Sequence, residues 1–182
     1  MRHNQGMPLG TSRQTRQTLD NFLNEKGFNK GVEIGVWRGD HAKLLLETIK
    51  DIELTCIDPW EGYKWHSVEE QERYYQDTIR NLAPYKVTIL KMFSLDALDK
   101  FEDRSLDFVH IDGNHDFDYC VTDIIFWSKK VKSGGIIAVH DYDSHMTGVM
   151  RAVDSYTHCH SINPWFVIRE QGHPFTAFWV NP

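Results

Sequence analysis

The stretch Val32-Glu33-Ile34-Gly35-Val36-Trp37-Arg38-Gly39-Asp40 decides the fold, together with what repeats after it. A short run rich in β-branched residues (31–36) meets a glycine, and a helical pattern (41–49) starts a few residues later. The same alternation recurs along the chain. Strands are predicted over 31–36, 53–57, 87–91, 106–111 and 135–139, with helices over 41–49, 68–82, 95–101, 119–131 and 146–158. Strands alternating with helices mean βαβ units, hence a parallel sheet covered on both faces, with right-handed crossovers. Residues 165–169 and 176–180 break this rhythm. They are strand-like but separated only by a short segment with a Gly-His-Pro turn, too brief to join parallel strands, so a hairpin is expected. The predicted class is α/β, a doubly wound Rossmann-like sheet, mostly parallel, with a C-terminal antiparallel hairpin.

No internal repeat, low-complexity tract or linker divides the 182 residues, so residues 12–182 are expected to form one domain behind a loose leader, 1–11. Before the first strand, Leu19, Phe22 and Leu23 recur at helical spacing from residue 11 or 12 to Lys26, with Gly27 as the stop. With 41% hydrophobic and 25% charged residues the composition is that of a globular protein. Apolar runs fall far short of the roughly 20 residues of a membrane span, and the N-terminus lacks a signal-peptide core, so a cytoplasmic location and no membrane partner are expected. A net charge of −6 argues against a nucleic-acid partner. The basic stretch Lys129-Lys130-Val131-Lys132 is read as the end of a helix, where cations suit the dipole. Cys56, Cys120 and Cys159 show no CxxC spacing and are read as reduced, inert thiols.

In such sheets a ligand sits beyond the carboxyl ends of the strands, where strand order reverses. A dinucleotide there needs G-x-G-x-x-G, because its pyrophosphate rests on a helix N-terminus. This chain has E-x-G-x-x-x-G (Glu33, Gly35, Gly39), with Trp37 where a middle glycine would stand. A carboxylate beside the glycines repels a pyrophosphate but suits the cationic methionine end of S-adenosylmethionine (SAM), directly or through water. That contrast favours SAM over NAD.

Asp58 ends the second predicted strand about 20 residues past the glycines, the spacing at which an acid meets ribose hydroxyls. Trp60, two residues on, is a candidate to stack on adenine, with lid or core anchor as the competing readings. Asp112, at the end of the fourth strand, and His140-Asp141, at the end of the fifth, should emerge side by side at the ligand-bearing edge. Carboxylates suit magnesium and manganese, and imidazole suits transition metals. A cation on Asp112, His140 and Asp141 could hold an acceptor hydroxyl and lower its pKa. In the metal-free alternative, His115 or His140 acts as general base.

Taken together, EIGVWRGDHAKLLLE, LTCIDPW, LDFVHIDGNHDFDYCVTDI and KSGGIIAVHDY resemble class I SAM-dependent methyltransferases over residues 31–142. The particular resemblance is to methyltransferase domain family 24, relatives of the macrocin-type sugar O-methyltransferases. A parallel sheet ending in an antiparallel strand agrees with that likeness, whereas nicotinamide-binding sheets stay parallel. The resemblance implies that Glu33, Gly35 and Gly39 bind the methionine part of SAM, Asp58 the ribose and Ser94 the adenine side. It also implies Asp112 and Asp141 as cation ligands, with Asp112 counted among the SAM-binding residues as well. His140 stands where metal-using relatives carry a second acid, and Asn114 where they carry an acidic base, so His115 becomes the substitute base.

The expected activity is SAM-dependent O-methylation of a small-molecule or sugar acceptor, assisted by Mg2+ or Mn2+, with Asp112, His115 and His140 as the catalytic set. A nicotinamide-dependent oxidoreductase and a non-catalytic SAM-binding module are the rivals. Little of the chain is left for an acceptor domain. The acceptor pocket is therefore sought in residues 60–75, whose aromatics (Trp60, Tyr63, Trp65) read as a lid, in the N-terminal helix, or in a second copy of the chain as a homodimer. Asn163-Pro164-Trp165-Phe166 is read as a turn leading into a strand. His145, His158, His160 and His173 are read as surface or turn residues.

Overall fold

The computed structural model describes residues 16–63, 66–169 and 175–182. The leader, the residues before α1 and the turn of the C-terminal hairpin lie outside them, as does Trp65. Along the chain the elements are α1 (Arg16–Glu25), β1 (Lys30–Ile34), α2 (Asp40–Thr48), β2 (Glu53–Asp58), α3 (Val68–Leu82) and β3 (Thr88–Lys91). A 3-10 turn (Leu95–Lys100), β4 (Leu106–Ile111), α4 (Phe117–Trp127), β5 (Val131–Val139), α5 (Thr147–Cys159), β6 (Phe166–Ile168) and β7 (Thr176–Val180) follow. They build one seven-stranded sheet in the order β3-β2-β1-β4-β5-β7-β6. Strands β1 to β5 run parallel, β7 pairs antiparallel with β5, and β6 pairs antiparallel with β7. The hairpin and the doubly wound class are therefore as the sequence indicated.

Local chemistry explains the boundaries. A capping box, with Ser67 and Glu70 each bonding the other's backbone N–H, starts α3 one residue after the loop. Helix α4 begins two residues earlier than expected and stops at Trp127, four before the predicted end. The basic stretch therefore does not close a helix. The backbone of Lys129 and Lys130 instead accepts N–H groups of Arg104 and Leu106, and Val131 is already paired with Leu106 on β4. Lys130 Nζ bonds Phe101 O and Asp103, and Lys132 Nζ bonds Asp107. A register shift lets β5 run from Val131 through Gly134 and Gly135 into the predicted strand.

Alternation along the strands divides the core. Val32 and Ile34 of β1 face the layer of α4 and α5, with Val109, Ile111, Ile124, Trp127 and Trp179. The other face, with Leu54, Phe108 and Ile136, packs Leu19, Leu23 and Leu45 of α1 and α2. Because β2 and β3 lie on one side of β1 and β4 and β5 on the other, strand order reverses between β1 and β4. The crevice opens beyond Ile34 and Ile111, paired in register. No helix among the described residues is long and apolar enough to cross a membrane.

Gly35 makes that crevice possible. It has φ 81°, and a Cβ on it would lie 2.0 Å from the carbonyl oxygen of Asp112. Gly134, at φ 82°, has nothing within 4 Å of the same position. Gly134→Ala is therefore expected to cost only the left-handed conformation, about 1–2 kcal/mol. Gly35→Ala adds a backbone collision and should cost about 3 kcal/mol or more. Urea unfolding of the two variants checks this; equal losses would mean that the β1–β4 approach is not the constraint.

Candidate functional site

Two loops meet at the crevice. The first follows β1: the N–H of Gly35 donates to Ile57 O, and Gly39 caps α2. Asp58 at the end of β2 gathers this loop. Its Oδ2 accepts the N–H groups of Val36 (2.8 Å) and Trp37 (3.0 Å), and its Oδ1 that of Trp60 (2.8 Å). Burial pushes its carboxyl above the usual range, against the pull of these three donors. Asp58 thus draws the loop after Gly35 against the end of β2.

Trp60 is a correction. The sequence offered it as an adenine-stacking residue, but it is 2% exposed, its ring lies 4.8 Å from that of Tyr75, and its Nε1 donates to Trp37 O. It anchors the core and has no face to offer a ligand. Trp37 on the same loop is exposed. Tyr63 spans the crevice instead: its hydroxyl donates to Asn114 Oδ1 (2.7 Å), tying the loop after β2 to the loop after β4. Glu33 also turns away from the open edge. Its carboxylate is buried on the α1–α2 face, where His41 Nδ1 lies 2.9 Å from Oε1.

The second loop set follows β4 and β5 and brings together the residues expected to do chemistry. His140 is buried, with Nδ1 3.3 Å from Asp112 Oδ1 and 3.4 Å from Asp141 Oδ1. His115 reaches over from the β4 loop, its Nε2 2.8 Å from Asp141 Oδ2 and 3.7 Å from Asp112 Oδ1. Hydrogen bonds to Asp112 and then Asp141 raise His115 to about 9, outweighing its partial burial. Burial would raise both carboxyls, yet the two imidazoles hold Asp112 below, and Asp141 far below, the usual range. Asp112, His115 and Asp141 each bring a ligand atom within 4.8 Å of the others. The sequence had named Asp112, His140 and Asp141 as cation ligands; the fold brings His115 to the same carboxylates, with His140 the more buried of the two imidazoles.

Ser94, after β3, donates through Oγ to Asp123 Oδ1 at 2.5 Å. Sequence reasoning missed Asp123. It is buried on α4 between Cys120 and Ile124, a carboxylate on the inward stripe that also carries Trp127. That break in an apolar stripe was the available signal. His145, His158 and His160 are exposed, and Asn163-Pro164-Trp165-Phe166 leads into β6, both as read. Cys56 and Cys120 are buried free thiols and Cys159 is exposed.

Residues 32–142 match the family described as a methyltransferase domain. Among solved structures the chain is similar to TomG, an O-methyltransferase of Streptomyces achromogenes involved in tomaymycin synthesis and seen in complex with SAM. The identity is 15% and the TM-score 0.65, covering 91% of this chain and 79% of that one. An O-methyltransferase of Bacillus cereus in complex with SAH aligns with TM-score 0.64 at 14% identity, over 93% of this chain and 84% of its own. Spermidine synthase of Thermotoga maritima aligns with TM-score 0.66 at 13% identity, over 90% of this chain and 57% of its own. At such identities the likeness is one of fold. A curated Sinorhizobium fredii protein described as uncharacterized is 27% identical over 90 residues, 49% of this chain and 10% of that protein. The chain thus spans about a tenth of that relative's length.

Asp123 supplies a pH test. Burial raises its carboxyl to about 6, with Ser94 opposing. Because the folded value exceeds the unfolded one, this group's contribution is intact below about pH 4 and is lost as pH rises through about 6. Asp123→Asn keeps an acceptor for Ser94 and removes the titration. It should gain on the order of 1–3 kcal/mol relative to wild type between pH 4 and 7. Urea unfolding across that window checks it; a constant difference would contradict the assignment.

Proposed function

This chain belongs to the methyltransferase-domain family, and from that premise we propose that it methylates an oxygen of a small hydroxylated acceptor, a sugar or natural product. The methyl donor in this reading is SAM, as in the complex of TomG, with SAH in that of the Bacillus cereus O-methyltransferase, both of which share the fold. The observation that carries the finer reading is the carboxylate–imidazole cluster of Asp112, His115, His140 and Asp141 at the crevice between β1 and β4.

In this reading the Gly35–Gly39 loop receives the methionine end of SAM, Asp58 the ribose, and Ser94, with Asp123 behind it, the adenine side. Glu33 acts as a positioning residue from beneath, through His41. SAM's sulfonium carries the chemical activation, so the protein's work is alignment and proton handling. The S–C bond breaks as the O–C bond forms, S-adenosylhomocysteine leaves, and the hydroxyl proton passes to the cluster. Asp112 and Asp141 face the acceptor, and His115, half-exposed at the rim, is the imidazole nearest to it. His140, buried with Nδ1 on both carboxylates, positions them. Tyr63, bonded to Asn114 across the opening, forms one wall of the acceptor pocket.

The donor set fits a divalent cation, since two carboxylates and an imidazole converge within 4.8 Å. Asp112, Asp141 and His115 would hold it, with His140 behind them, in place of the Asp112–His140–Asp141 set read from the sequence. Magnesium or manganese there would bind the acceptor oxygen and lower its pKa.

The first test is calorimetric titration of the full chain with SAM and SAH, with NAD as control. SAM and SAH should bind and NAD should not. Asp112→Ala should then keep SAM binding and lose roughly 100-fold or more of methyl transfer, measured with labelled SAM across hydroxylated sugars and phenols. Transfer near the wild-type rate would remove Asp112 and its cluster from the mechanism.

A further inference from the structure

On the face of the sheet that packs α1 and α2, Cys56 of β2, Glu33 of β1 and His110 of β4 lie side by side in register, all buried. Helices α1 and α2 lower Asp20 and His41 onto this row. The layer around it is apolar, lined by Leu19, Leu45, Leu54 and Phe108. His41 is held between two carboxylates, with Nδ1 2.9 Å from Glu33 Oε1 and Nε2 3.5 Å from Asp20 Oδ1. Its ring centre is 4.2 Å from that of His110. Glu33, His41 and His110 each bring a ligand atom within 4.8 Å of the others. A separate observation points into the same place. Asp20 is 1% exposed, and its carboxylate oxygens accept no hydrogen bond, His41 Nε2 being an ion-pair neighbour at 3.5 Å. A buried carboxylate in that state is costly unless a cation completes its surroundings.

We propose that this row is a closed structural site for a zinc-class divalent metal, with Glu33, His41 and His110 as ligands and Asp20 as the carboxylate that orients His41. Two imidazoles and one carboxylate suit zinc, whereas calcium favours all-oxygen sites. His41 presents Nδ1 on the Glu33 side and leaves Nε2–H for Asp20, the carboxylate–histidine–metal order that fixes ring and tautomer. Cys56 Sγ, 3.9 Å from Glu33 Oε2, is the next donor inside the layer. Without metal, a proton on His41 balances the two carboxylates, Glu33 at 2.9 Å and Asp20 at 3.5 Å. The entering ion takes the place of the Nδ1 proton, which leaves to solvent. The metal would staple α1 and α2 to the two central strands, directly beneath the Gly35 loop. It would be distinct from the Asp112–His115–Asp141 cluster at the strand ends.

The test is metal content by plasma mass spectrometry on the full chain, purified without a histidine tag, loaded with zinc alone and dialysed. A parallel cobalt-loaded sample is read by visible absorption. Wild type and His115→Ala should both retain stoichiometric zinc and show the intense bands of four-coordinate cobalt. Glu33→Gln and His110→Ala, checked for folding by circular dichroism, should lose both signals. Absence of stoichiometric metal in wild type would overturn the proposal. So would retention in folded His110→Ala with loss in His115→Ala, which would place the ion at the strand ends. Should the buried variants fail to fold, His115→Ala decides alone, since it removes the rim imidazole and leaves the buried row intact.

Discussion

The ends of β1 and β4 can meet only because residue 35 has no side chain. The carbonyl of Asp112 occupies the space a Cβ would need, and the N–H of Asp112 in turn donates to Ile34 O at 2.7 Å. Both loops of the crevice are set by this contact. It sets Asp112 beside the glycine loop, and it lets Asp58 draw that loop against β2 through the N–H groups of Val36 and Trp37. The Gly35 loop and the carboxylate–imidazole cluster are therefore parts of one backbone arrangement, not separately placed.

Two polar groups lie at the same strand ends, one past the last strand residues and one within the strands. Asp112, Asp141, His115 and His140 gather past the ends of β4 and β5, where the chain leaves the sheet. Glu33, His110 and Cys56 sit one step earlier and point to the α1–α2 layer. Both groups solve the same electrostatic problem: carboxylates held close in low dielectric need positive charge between them, and both use imidazole for it. The rings of His110 and His140, 6.1 Å apart, are where the two groups come nearest through aromatic contact. Histidine suits this position because it accepts a proton or a metal with small changes in its surroundings.

The loop after β2 shows how one composition yields opposite roles. Trp60 and Tyr63 are both aromatic and three residues apart, yet Trp60 is sealed in the core while Tyr63 bridges to Asn114 across the opening. Trp60 has φ 44°, and that left-handed step turns its ring inward against Tyr75. Nothing in the local sequence separates these outcomes, because the choice depends on α3 and its Tyr75 being packed behind the loop.

The elements, their alternation and the reversal of direction at the end were legible in the chain alone, since those follow from local hydrophobic period and from the length a parallel crossover needs. The chain also showed that Asp58, Asp112, His140 and Asp141 stand at strand ends, because a strand's last residue is set by where its apolar run stops. Which side chains face one another was settled by packing. It paired His115 with Asp141, placed Asp123 under Ser94, buried Trp60 and turned Glu33 toward His41. It also ended α4 at Trp127 so that Lys129 and Lys130 could pair with the approach to β4. Each of these rests on contacts between residues distant in the chain, fixed by sheet register and helix packing, and a local pattern carries no record of its partner.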